Sequence, residues 1–172
     1  AGYRQYEVFV MDLATKQLVP QQIGKVSDVE WGAGHDALYY VTENEAKRSD
    51  TLHRWTLSAA RHEVLYVDQD ELFNIEVRKS NDGRWLFCTS ESKVTSEVLA
   101  LRADDATGKF RSLAGRVTDR KYFAEHRGDK FYFATNRDAK NYKVVSAPES
   151  APDQWTDVIA HNPAVKVESI EA

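Results

Sequence analysis

Apolar and polar positions alternate with a period of two along most of the chain, and helical spacing is scarce. The runs rich in β-branched and aromatic residues predict strands over residues 8–11, 17–20, 28–31, 37–42, 51–57, 63–67, 73–78, 85–90, 97–102, 110–113, 122–125, 130–135, 142–146 and 155–160. Turn formers separate them, most clearly Gly32-Ala33-Gly34-His35-Asp36, Ser80-Asn81-Asp82-Gly83 and Arg127-Gly128-Asp129. Short strands with turns at this spacing mean an all-β fold: a sandwich, a barrel or a propeller.

The turns choose among these, because they repeat. Each of the three precedes an apolar strand that closes on a hydroxyl residue, Thr42, Ser90 or Thr135, at intervals of 48 and 45 residues. Third strands follow, with His53, Val98 and Lys143 spaced by 45 each time, and fourth strands close at 64–66, 110–112 and 155–157. Four strands in about 45 residues is the period of a propeller blade, and a blade cannot bury both of its faces unless neighbours stack on it. The expected architecture is a single β-propeller segment, 1–172, of four-stranded antiparallel blades. It comprises a partial blade (3–24), three complete blades (25–68, 69–116, 117–161) and the first strand of the next (162–172). A closed propeller needs at least four blades, so the chain is expected to be a piece of a larger one.

Composition narrows the function. Apolar residues make up 42% and charged residues 29%, and seven Phe, eight Tyr and four Trp are spread over the whole length, which excludes disorder. With 23 basic and 27 acidic residues the net charge is −4, so nothing favours nucleic acid or an anionic membrane as a partner. No apolar run approaches the ~20 residues of a membrane span. There is one cysteine, Cys88, and no Asn-X-Ser/Thr sequon. Together these predict a cytoplasmic protein.

Candidate chemistry is sparse. The Gly-X-Ser-X-Gly nucleophile elbow is absent, so no catalytic residue is assigned. His35, His53, His62, His126 and His161 show no metal-ligand spacing, and His35 and His126 read as solvated turn histidines. Asp104, Asp105 and Asp119 read as turn caps, and Cys88 as a buried apolar residue. No metal and no cofactor is expected. Glu30, Glu76, Glu125 and Glu168 recur on first strands at 46, 49 and 43 residues, which suits a polar lining of the axis or, alternatively, a calcium-dependent channel enzyme. The loops between second and third strands, 43–50, 91–95 and 136–141, all carry mixed charge and belong on one face. Glu43, Glu45, Arg48, Arg137 and Lys140 are therefore the candidate domain-facing or gating residues, the alternative being a plain solvated rim.

Several segments are familiar in order as well as in kind. Thr95-Ser96-Glu97-Val98-Leu99-Ala100-Leu101 with Ala103-Asp104-Asp105 resembles a blade of oligopeptidase B, the branch of the prolyl oligopeptidase family that cleaves after basic residues. Thr135-Asn136-Arg137-Asp138-Ala139-Lys140-Asn141-Tyr142-Lys143 resembles the blade after it. Asp28-Val29-Glu30-Trp31 with Leu38-Tyr39-Tyr40-Val41, and Gln154-Trp155 with Val158-Ile159 and Pro163, resemble further parts of that propeller. The resemblance implies a seven-bladed propeller over an α/β-hydrolase domain of the same polypeptide. It implies a parent that is a serine-type endopeptidase cutting short peptides after Arg or Lys, and a gating role for this segment. It assigns no catalytic residue here. The alternative is a stand-alone propeller scaffold for protein–protein interaction, which would favour Trp-Asp and Gly-His repeats at blade-matched positions.

Overall fold

The computed structural model describes residues 6–171; residues 3–5 of the first expected partial blade and residue 172 of the last lie outside the described residues. Every regular element described is a strand, and the strands form three antiparallel sheets. The first contains β1 (Tyr6–Met11), β2 (Leu18–Trp31), β3 (Ala37–Glu43), β4 (Ser49–Thr56) and β5 (Arg61–Val67) in that order. The second contains β6 (Asn74–Lys79), β7 (Trp85–Glu91), β8 (Ser96–Arg102) and β9 (Arg111–Ser112), and the third β10 (Tyr122–Arg127), β11 (Lys130–Thr135), β12 (Lys143–Pro148) and β13 (Thr156–Ile159).

The first sheet departs from the sequence expectation of separate strands at 17–20 and 28–31, which the structure joins in β2. Its first half pairs with β1, from Met11↔Leu18 to Tyr6↔Val26, and its second half pairs with β3, from Val26↔Thr42 to Trp31↔Leu38. The chain changes partner at Val26. Lys25 beside it sits in the left-handed region at φ 57°, and the register slips between Val26 and Asp28. Gly24-Lys25 kinks the strand but, with no turn sequence around it, does not end it. The expected strand at 110–113 is cut to the two residues of β9. Residues 162–171 hold no strand. That segment is tied down by Val167 N donating to Asn141 O (2.9 Å) and Asn141 Nδ2 donating to Pro163 O (2.7 Å).

Both faces of the central strands are buried, and the alternation divides each strand between two cores. Leu86 and Cys88 of β7 pack with Tyr39, Val41, Leu52 and Val77 on the side of the first sheet. Phe87 between them packs with Tyr122, Phe131 and Phe133 of the third. A third core joins Val10, Ile23 and Val26 to Leu38, Tyr40 and Trp55. A side chain such as Phe87, fully buried, contributes about 1.5–3 kcal/mol by leaving water. Face-to-face packing of sheets by alternate residues of one strand is what makes these units propeller blades.

The antiparallel order sends connections to two opposite ends. First-to-second-strand hairpins share one end with third-to-fourth loops: Ala33 N bonds Ala103 O at 2.8 Å, and Ser58 N bonds Asp36 Oδ1 at 2.8 Å. Each hairpin turn needs one left-handed residue, supplied by Gly83 (φ 72°), Gly128 (φ 69°) and, at the first, His35 (φ 57°). The inter-blade links share the other end with the second-to-third loops, where Asp119 N bonds Thr95 Oγ1 at 2.9 Å.

Candidate functional site: the inner strand edges and the link end

Among the described strands β6 and β10 pair only with the second strand of their own blade and leave the other edge, the one a propeller turns to its axis, without a strand partner, while on β2 that edge is free only beyond the stretch paired with β1. On β6 and the turn after it, the amides of Val77, Lys79 and Asn81 on that edge are nevertheless satisfied. Asp28 Oδ2 accepts from Val77 N at 2.9 Å and Glu30 Oε2 from Lys79 N at 3.2 Å, both reaching across from β2 of the preceding blade. Glu125 Oε1, from β10 of the following blade, accepts from Asn81 N at 3.0 Å. Arg78 does the converse: its Nη1 pairs with Glu125 at 3.1 Å and its Nη2 donates to the edge carbonyl of Ala124. The guanidinium lies 4.9 Å from the Phe87 ring centre.

These partners follow from period two. Asp28 and Glu30, and likewise Glu76 and Arg78, lie two apart and so share one face of their strands. The ladder register also corrects the recurrence seen in the sequence. Glu30 lies opposite Tyr39, Arg78 opposite Phe87 and Glu125 opposite Tyr132, each three residues before the closing Thr42, Ser90 or Thr135. Glu30, Arg78 and Glu125 are therefore the equivalent set, while Glu76 matches Asp28 and Phe123. Glu168 falls in the segment without strand. The signal available in the sequence was the charged pair at i, i+2 within an apolar strand.

Burial raises the Asp28 carboxyl above the usual range, against the bonds from the Val77 and Val29 amides, with Glu30 adding to the rise. Burial, and then the charge of Asp28, raises Glu76 as well. Beside them Asn74, Ile75, Glu76, Thr89, Glu91 and Ser92 line a shallow hollow of about 340 Å³. Among the described residues no group of three or more His, Cys, Asp or Glu is placed to hold a metal ion.

The candidate loop residues lie at the link end but do different things. Arg48 turns inward, its Nη1 donating to Phe73 O (2.9 Å) and Asp70 O (3.2 Å) and its Nη2 to Asp68 O and Asp50 Oδ2 (both 3.1 Å), which clamps the 68–73 link. Glu45 is almost wholly exposed and pairs with Lys25 at 3.1 Å. Glu43 ends β3, half-buried. Arg137 is exposed, its guanidinium 5.8 Å from the Trp155 ring centre, and Lys140 is exposed on the same loop. The loops carry these five on two blades, and the structure brings none of them into one cluster.

A second arginine, which sequence reading missed, holds the same link from the other side. Arg116 Nη2 donates to Asp68 Oδ2 (2.5 Å) and Ser90 Oγ (2.8 Å), its Nε reaches Glu97 at 3.3 Å, and it lies 3.8 Å over the Phe73 ring. Burial alone would push Asp68 up, but the bonds from Arg116, Ser90, the Asp70 amide and Tyr66 outweigh it and hold the carboxyl low. His126 is also corrected: instead of a solvated turn residue it is fully buried, with Nδ1 2.6 Å from Asp82 and Nε2 2.8 Å from Glu149. The neighbouring Asp82–Gly83 turn and the loop after β12 close over it. His35, by contrast, is exposed in its turn. His53 stacks on Tyr40 at 4.7 Å with Nε2 2.8 Å from Thr42 Oγ1. Cys88 is fully buried, and that burial pushes its thiol far up, so it stays protonated.

With this geometry in place, comparison with known proteins is informative. The family model described as "Prolyl oligopeptidase, N-terminal beta-propeller domain" matches residues 1–172. Dipeptidyl aminopeptidase BI of Pseudoxanthomonas mexicana is 30% identical over 177 residues, covering 99% of this chain and 24% of that protein. Oligopeptidase B from Trypanosoma brucei, solved in a closed form with covalently bound antipain, superposes with a TM-score of 0.81 at 29% identity, over 88% of this chain and 22% of that one. Oligopeptidase B from Leishmania major gives 0.85 at 23% identity, over 92% and 23%. The chain spans about a quarter of the length of the curated relatives it matches.

Proposed function

The chain belongs to the N-terminal β-propeller family of the prolyl oligopeptidases, and from that premise we propose that it is part of a seven-bladed propeller gating a serine oligopeptidase. In this reading an α/β-hydrolase domain of the same cytoplasmic polypeptide carries the catalysis. Short peptides reach it past the inner strand edges and are cut after Arg or Lys. The match of the family model to the whole chain is the observation that carries the reading. The inner edges give it a physical basis. A lining whose backbone is occupied by neighbouring side chains is stiff, narrow and polar, and excludes folded chains by size while admitting an extended one.

Peptidase assays on the full-length parent test this. A fluorogenic Arg peptide of a few residues is expected to be cleaved, while the same Arg site within a folded protein is left intact. Equal cleavage of both, or none of either, would overturn the gating reading.

A further inference from the structure

An extended peptide that passes an open strand edge pairs with it: this is how β-augmentation captures ligands and how exposed edges aggregate. The inner edge of β6 is six residues long and, in its pairing with β7, free of bulges, which is the form that invites such pairing. A channel lined by edges of this kind would retain the peptides it should pass.

We propose that Asp28, Glu30 and Glu125 act as edge caps, occupying the edge amides from Val77 on β6 into the turn after it so that a passing peptide cannot add to the blade as a fifth strand. The inference rests on the reading that peptides travel along these edges. Along β6 and into its turn, amides two residues apart point the same way. Val77, Lys79 and Asn81 are such a row, and each donates to a carboxylate of an adjacent blade at 2.9, 3.2 and 3.0 Å. A peptide backbone would have to supply carbonyls at those same positions. Arg78 blocks the complementary group on the next blade by donating to Ala124 O. The caps come from both neighbours, so the protection exists only in the stacked assembly. The row opens toward Ile75, where the hollow bounded by Glu76 and Glu91 begins.

Capping and charge are separable by substitution, because an amide oxygen accepts a hydrogen bond as a carboxylate does but carries no charge. In the full-length parent, Asp28→Ala with Glu30→Ala removes the caps, and Asp28→Asn with Glu30→Gln keeps them while removing both charges. The probe is an uncleavable extended peptide of alternating Val and Ser with D-Arg at the cleavage position, compared with the same peptide N-methylated at alternate residues.

The alanine pair is expected to speed hydrogen exchange at Val77 and Lys79 and to bind the probe about tenfold more tightly, with no gain for the N-methylated peptide. The Asn/Gln pair is expected to match the unmodified protein in both. Glu30→Ala alone serves if the double variant does not fold. Exchange without tighter binding, an equal gain for the N-methylated probe, or an Asn/Gln pair that behaves like the alanine pair would overturn the proposal. A parent that cleaves no Arg peptide sinks the gating reading but leaves exchange and probe binding to decide the caps.

Discussion

The second blade begins with the six residues of β6 and ends with the two of β9, and its two edges are kept from pairing with other chains by different means. The outer edge relies on brevity and charge: β9 carries Arg111 with Lys109 two residues before it, and its counterpart in the third blade, β13, has four residues, all exposed. Few consecutive backbone groups are offered there, so little can be gained by pairing with them. The inner edge cannot be short, because β6 contributes Ile75 and Val77 to the core it shares with the first blade. It is long by necessity, and its amides are taken up by side chains from adjacent blades. Outer protection is local to the strand, whereas inner protection depends on the stack.

Breaking the stack should therefore have the largest effect. Phe87→Ala empties a fully buried position between the second and third blades and removes the ring beneath Arg78. A loss of about 3–5 kcal/mol in urea unfolding is expected, with both inner-edge rows exposed together.

The link that delivers the chain to β6 comes next. Arg116→Ala strands Asp68, whose side chain is 3% exposed, and is expected to lose about 1–3 kcal/mol at neutral pH, tempered by the partial exposure of the arginine itself. Asp68 is held below its ordinary range in the fold. Its contribution is thus present above the unfolded value of about 3.9 and disappears as pH falls through the lower folded value. Stability measured from pH 6 down to acid should fall less steeply in the variant.

The outer edge sharpens the contrast. Lys109→Val with Arg111→Val lengthens the apolar run around β9 and should leave the unfolding midpoint nearly unchanged. Sedimentation velocity is expected to show concentration-dependent association.

The smallest effect falls on Glu76, which burial and Asp28 raise. A raised carboxyl binds its proton more tightly in the fold. Its contribution is present below the unfolded value of about 4.3 and is lost as pH rises through the folded one. Glu76→Gln should then gain stability at pH 7, by less than about 0.5 kcal/mol because the group is solvent-screened, and nothing at pH 3.

The blade pattern was legible because it rests on local chemistry repeated at a fixed period. Turns at 32–36, 80–83 and 127–129 need a left-handed residue, and strands such as Leu86–Ser90 need alternate apolar positions on both faces. What the sequence hid depends on register and on contacts between blades. The Glu30–Glu76–Glu125 spacing looked periodic, yet only the ladder places Arg78 between Glu30 and Glu125 and Glu76 level with Asp28. Arg48 read as an outward loop charge because nothing local reveals that the carbonyls of Asp68, Asp70 and Phe73 converge on it. His126 was misplaced for the same reason, since Asp82 and Glu149 are 44 and 23 residues away.

Whether peptides travel along the inner edge is best tested by plugging it. In a full-length parent with its other accessible cysteines replaced, Glu76→Cys would be coupled to a maleimide-linked polyethylene glycol; Cys88, fully buried, does not compete. Val64→Cys, 59% exposed on the outer strand β5, serves as the control. The account predicts that cleavage of a short Arg peptide falls sharply when position 76 is coupled and is unaffected when position 64 is. Unchanged cleavage with position 76 fully coupled would contradict passage along the inner edge.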